Sequence, residues 1–101
     1  MTINSLTKVK YQIKYTNEFK RNYKKINKQG KDTEKLKHIV NRLANGLELH
    51  EKYKDHMLND SKNYKNCREC HIEPDWLLVY QYMDNQLILI LVATGSHSDL
   101  F

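Results

Sequence analysis

Three extended, apolar segments follow one another near the end of this chain with almost nothing between them, and that leaves few ways to fold. They span residues 64–72, 76–82 and 86–93, separated only by Glu73-Pro74-Asp75 and by Asp84-Asn85. A parallel return needs a crossover of roughly a dozen residues or more, so links this short predict an antiparallel meander. The last segment is apolar on both faces, and a strand of that kind needs helices over it.

The first half supplies them. Val9, Tyr11, Ile13 and Tyr15 alternate with Lys8, Lys10, Gln12 and Lys14, the period of a strand with one buried face. Thr16 or Asn17 can cap a helix whose apolar positions Phe19, Tyr23 and Ile26 share one side, with Gly30 ending it. Asp32 or Thr33 opens a second helix carrying Leu36, Ile39, Val40, Leu43 and Leu47 as a stripe. The polar stretch 49–65, rich in turn formers, is expected to be a long loop, and long loops in compact domains tend to be functional. The order β-α-α-β-β-β predicts an α+β fold, an antiparallel sheet packed on a two-helix hairpin. At 101 residues the chain suits one domain, 1–101, with residues 1–8 expected to form a flexible extension.

No apolar run approaches the roughly 20 residues of a bilayer span, and residues 1–8 lack the apolar core of a secretory signal. The expectation is a cytoplasmic protein without a membrane partner. Charge is unevenly placed. All 17 lysines and arginines lie at or before Arg68, whereas the chain from Glu69 onward carries five carboxylates and no Lys or Arg. A basic face beside an acidic one suits a polyanion, and it equally suits a small protein kept soluble by its lysines.

Of five histidines, His38 and His50 are expected to be solvated or partly packed. His56, His71 and His97 lie in loops or at strand ends, and with Asp75 they can converge on one rim of the meander. Several imidazoles near their ordinary pKa of about 6.5 can supply a base and an acid together at neutral pH. RNA cleavage by the ribose 2′-hydroxyl asks for both, and Phe101, Trp76 and the tyrosines offer rings on which bases could stack. The run Cys67-Arg68-Glu69-Cys70-His71 matches the C-x-x-C-H pattern of haem attachment and could also suggest zinc. On a strand, residues three apart are about 10 Å apart and point to opposite faces. Two ordinary thiols, with no metal and no cofactor, are therefore expected.

Three motifs, taken together, resemble the YafQ branch of the RelE/ParE toxins: Tyr53-Lys54-Asp55-His56; Cys70-His71-Ile72-Glu73-Pro74-Asp75-Trp76; and Thr94-Gly95-Ser96-His97-Ser98-Asp99-Leu100-Phe101. They occur in the family's order, and the resemblance runs over nearly the whole chain from Val9. It implies a RelE-like fold and a type II toxin–antitoxin system, in which the toxin cleaves mRNA on the ribosome and a cognate antitoxin neutralises it. Operator DNA would be bound through the toxin–antitoxin complex. By motif, His56, His71, Asp75 and His97 take the catalytic positions, with His97 as base or acid, and Phe101 positions the RNA. Lys54, Lys65, Arg68 and Trp76 are the candidate substrate-binding residues. The family often has an arginine four residues before the last histidine, where this chain has Ala93, so Arg68, Lys54 or Lys65 would have to supply the missing charge. The rival expectation is a non-catalytic module of the same fold that blocks a ribosome or gyrase, or acts only as a co-repressor.

Overall fold

The computed structural model describes residues 10–59 and 61–101, so Val9 and the expected extension at 1–8 lie outside the described residues. Strand β1 (Gln12–Tyr15) leads into helices α1 (Asn17–Lys28) and α2 (Thr33–Ala44). A 3-10 turn (Glu51–Tyr53) and a two-residue strand β2 (His56–Met57) follow, then the meander β3 (Arg68–Glu73), β4 (Trp76–Met83) and β5 (Ile88–Gly95), with a short 3-10 segment (Asp84–Gln86) joining the last two, and finally a one-turn helix α3 (His97–Leu100). The sheet order is β1-β5-β4-β3-β2.

Local chemistry explains the helix ends. Thr16 caps α1, accepting from the Phe19 amide at 3.0 Å, and its hydroxyl donates to the Val92 carbonyl, which ties the helix start to β5. Asp32 caps α2 through the Glu34 amide at 3.1 Å. Between the helices Gly30 takes φ +77°, a left-handed conformation that glycine adopts without steric cost.

Three features depart from the expected fold. The sheet is mixed, because β1 pairs with β5 in parallel: the helical hairpin is long enough to serve as a crossover, and β1 returns beside the meander's last strand. The supposed loop at 49–65 contains the 3-10 turn and β2, which pairs antiparallel with the start of β3 through His56 opposite Glu69 and Met57 opposite Arg68. His50 is part of this local order, its Nδ1 accepting from the Lys52 amide at 3.0 Å. The third departure is α3, too short to announce itself by periodicity.

Both faces of the sheet are covered. One packs on the hairpin, where Phe19, Ile26, Leu36, Ile39 and Val40 meet Cys70, Trp76, Leu78, Tyr80, Leu89 and Leu91. The other buries Leu77, Val79 and Ala93 under Tyr64, Cys67 and Leu100. The strand alternation of β4 shows directly in this split. On β5 a bulge intervenes: Tyr80 pairs with Leu91 and Val79 with Ala93, leaving Val92 as the extra residue. Leu91 and Ala93 therefore face opposite sides although they are two apart, and the end of β5 is re-aimed toward the surface that carries α3. Cys67 and Cys70 are free, buried in separate clusters on opposite faces.

Candidate active site

Strand alternation decides which groups share a surface. Along β3, Cys70 and Ile72 point to the helices, so Glu69 and His71 point the other way. The β2 pairing sets His56 opposite Glu69. The result is a line of rings: His56 to His71 centroids are 6.5 Å apart, His71 to His97 6.4 Å, His97 to Phe101 5.6 Å, and Phe101 meets Tyr64 edge-on at 5.5 Å. All three expected histidines and Phe101 are brought together, although His56 and His97 are 41 positions apart.

Two of these imidazoles are oriented by main-chain carbonyls. His56 Nδ1 lies 2.6 Å from the Lys54 carbonyl oxygen, and His71 Nδ1 lies 3.3 Å from that of Pro74. A carbonyl oxygen only accepts, so each contact requires the proton on Nδ1, which in the neutral ring leaves Nε2 without one. The Lys54 carbonyl is aimed by a left-handed backbone, φ 51°, as Lys54 closes the 3-10 turn.

Both Nε2 atoms face the same carboxylate. Glu69 Oε2 is 3.7 Å from His56 Nε2, and Glu69 Oε1 is 3.6 Å from His71 Nε2. The Glu69 side chain is only 5% exposed, and its Oε1 has no hydrogen-bond partner among the described residues. Burying such an oxygen is costly unless something compensates it. An imidazolium at either ring would do so. The motif reading missed Glu69, although one signal existed: Glu69 and His71 are two apart on a strand and so share a face. No group of three or more His, Cys, Asp or Glu side chains among the described residues is disposed to hold a metal ion.

Asp75 acts on His97 through the backbone. Its Oδ1 accepts from the His97 amide at 3.1 Å, while Ser96 and Asp99 form a capping box around the same turn. Lys25 reaches over from α1 to Asp99 at 3.2 Å, and this hydrogen bond, with those from Ser96, holds the Asp99 carboxyl below its ordinary range. The His97 turn is thereby fastened to the β3–β4 turn and to α1.

The other expected residues fall into different places. Trp76 is 1% exposed and lies in the helix-side core, with Nε1 donating to Thr94 Oγ1 at 3.0 Å, so its ring is closed to a stacked base. Arg68 points to the helix side as well, where it binds Asp55 at 3.2 Å and Tyr80 at 3.3 Å, and Tyr80 donates to Asp55 at 2.5 Å. Burial and then the Asp55 bond push the Tyr80 phenol well above its usual pKa, so it remains a donor. This network anchors the residue next to His56 and leaves no free guanidinium at the histidine line. Lys54 and Lys65 are exposed, and of the two only Lys54 borders the groove that reaches His71. Ala93 is fully buried between Val79 and the lid formed by Tyr64 and Leu100, so an arginine could not be placed there without repacking.

Residues 11–101 match the family profile described as a bacterial toxin of type II toxin–antitoxin system, YafQ. The mRNA interferase toxin YafQ of Escherichia coli (strain B / BL21-DE3) is 38% identical over 94 residues, covering 92% of this chain and 98% of that protein. The E. coli DinJ–YafQ toxin–antitoxin complex contains a chain that superposes with a TM-score of 0.81 at 37% identity, covering 92% of this chain and 99% of that one. A metal-bound toxin from Helicobacter pylori superposes with a TM-score of 0.84 at 42% identity, covering 90% and 99% of the two chains. A profile match across both layers of the fold and the whole histidine line is decisive: the chain belongs to the YafQ family of bacterial type II toxin–antitoxin toxins.

Proposed function

We propose that this protein is an mRNA interferase that cleaves ribosome-bound mRNA by acid–base catalysis along its histidine line. The observation that carries this reading is the alignment of His56, His71 and His97 on one solvent-facing surface, two of them with the tautomer set by backbone carbonyls. The 2′-oxygen of a ribose attacks its own 3′-phosphorus as a base takes the hydroxyl proton. The P–O5′ bond breaks as an acid protonates the leaving oxygen, yielding a 2′,3′-cyclic phosphate and a 5′-hydroxyl. His97 serves one of these transfers and the His56–His71 pair the other. Glu69, facing both Nε2 atoms of that pair, stabilises whichever ring carries the extra proton and so places positive charge beside the phosphorane. Lys54, rather than Arg68, adds charge from the rim. Phe101, 51% exposed, offers a face to a base.

The basic surface that includes Lys20, Arg21, Lys24 and Lys28 of α1 suits ribosomal RNA, with binding that weakens steeply as salt rises. The likeness to the DinJ-bound chain supports an antitoxin partner, and through it operator DNA. No helix among the described residues is long and apolar enough to cross a membrane, in keeping with action at a cytoplasmic ribosome.

The test is to map cuts in an mRNA with and without translating ribosomes and to identify the new ends. Cuts phased with codons, ribosome-dependent and bearing cyclic phosphate, are expected; translation blocked over intact mRNA would favour a non-catalytic module. Glu69→Gln is expected to slow cleavage about 10- to 100-fold, the worth of one charge-assisted contact of roughly 1.5–3 kcal/mol. Its Tm should be unchanged or raised, because the variant relieves a buried, unpartnered carboxylate oxygen. A rate and pH profile like wild type would remove Glu69 from the mechanism.

A further inference from the structure

A groove of about 650 Å3 opens beside His71, between α2 and the 3-10 turn. It exists because β2 is so short: it pairs only with Arg68 and Glu69, so the rest of β3, out to Glu73, has no strand on that side. Tyr53, half-buried against the core, forms part of one wall, and Lys52 carries its ammonium 5.1 Å from the Tyr53 ring centroid. Lys52 and Lys54 are exposed and make no ion pair among the described residues.

The groove is lined by charges of both signs: Lys52 and Lys54 at the 3-10 turn, Asp32 and Glu34 at the start of α2, and Glu73 joined to Lys35 at 2.8 Å. The hydrogen bond to Glu73 holds the Lys35 ammonium above its usual pKa, and the exposed pair presents a donor beside an acceptor. A nucleotide carries the complementary groups: an anionic phosphate, and a base whose edge has both donors and acceptors.

We infer that this groove is the subsite for a nucleotide adjoining the scissile phosphate, and that it favours a base bearing an exocyclic amino group. The phosphate on that side meets Lys52 and Lys54, and the base lies along Tyr53 with its amino group donating to the Glu73 carboxylate. Lys35 donates to the neighbouring ring nitrogen or carbonyl. Adenine, cytosine and guanine have such an amino group, whereas uracil offers only its ring N3–H, flanked on both sides by carbonyls that repel the Glu73 carboxylate. The volume lies within the ~300–1,000 Å3 usual for small-ligand clefts. This inference rests on the nuclease reading above.

The test is a cleavage map in a translating extract over reporter mRNAs carrying A, C, G or U at each nucleotide flanking the cut. Wild type, Glu73→Gln, Lys52→Ala and His97→Ala would be compared at matched folded concentration. At one flanking position, wild type is expected to cut uridine about 10-fold less than the other three bases. Glu73→Gln, whose amide can also donate, should level that preference while His97-dependent cutting continues; Lys52→Ala should raise the half-saturating toxin concentration and leave the preference intact. Both variants are at exposed or half-exposed positions, so a thermal melt matching wild type is expected. Uridine cut as well as the other bases at every flanking position, or a preference untouched by Glu73→Gln, overturns the subsite while leaving the nuclease standing. No cleavage by folded wild type overturns both.

Discussion

His97→Ala is expected to slow cleavage of ribosome-bound mRNA about 10²- to 10⁴-fold, the range for removal of a positioned acid or base. Binding to the ribosome should persist. The side chain is exposed, and α3 is capped by Ser96, Asp99 and Asp75 through backbone groups that alanine retains, so the Tm should hardly move. Single-turnover rates at saturating toxin, beside a melting curve, separate these outcomes. A variant that cleaves within a few-fold of wild type would take His97 out of the chemistry. Asp75→Ala sharpens the test. It leaves the imidazole in place but removes the acceptor that fastens the His97 amide, so a lowered rate with an unchanged pH profile identifies Asp75 as a positioning residue. A lost limb of the pH profile would instead give Asp75 a proton-transfer role.

What could be seen in the sequence and what could not divides along a physical line. Elements with several turns of periodicity or clear punctuation were legible: Asp32 as a cap, Gly30 as a stop, and the meander forced by two short links. The parallel docking of β1 on β5 was not, because strand direction across a crossover leaves no mark in either strand's own alternation. The strand β2 is two residues long and is held in place by its partner and by the Arg68–Asp55–Tyr80 network, so no local pattern encodes it. The histidine line was legible as a set because its motifs resemble a family. Its order in space depends on β2 placing His56 over Glu69 and on the bulge at Val92 redirecting the end of β5. Arg68 and Glu69 show the limit most sharply. They are adjacent in sequence, and a one-residue change of register would exchange their faces. Charge alone favours Arg68 as the phosphate ligand, yet the pleat turns Glu69, and not Arg68, toward the histidines.

Trp76 poses the same question of facing with the largest consequence for stability. Trp76→Ala is expected to destabilise the protein by about 3–5 kcal/mol, the usual cost of emptying a large aromatic site in a core. For a domain of this size each kcal/mol lowers Tm by roughly 4–8 °C, so the melt should fall by tens of degrees. The reason is packing. Trp76 fills the helix-side core beside Leu78 and Tyr80, and its Nε1 donates to Thr94, whose hydroxyl in turn donates to the Leu77 carbonyl at 2.7 Å. Trp76→Phe keeps most of the apolar volume and loses only the donor, so its cost should be nearer 1 kcal/mol plus a modest cavity term. If Trp76 served as a stacking platform, removing the ring would weaken RNA binding with the melt unaltered. From a buried Trp76 the opposite pattern is expected: the Tm falls in the order wild type, Phe, Ala, while cleavage per folded molecule and half-saturating toxin concentration stay near wild type for Phe. Phe101→Ala should show the complementary behaviour, a weakened interaction with mRNA and little change in Tm, because that ring is half exposed at the end of the histidine line rather than beneath the sheet.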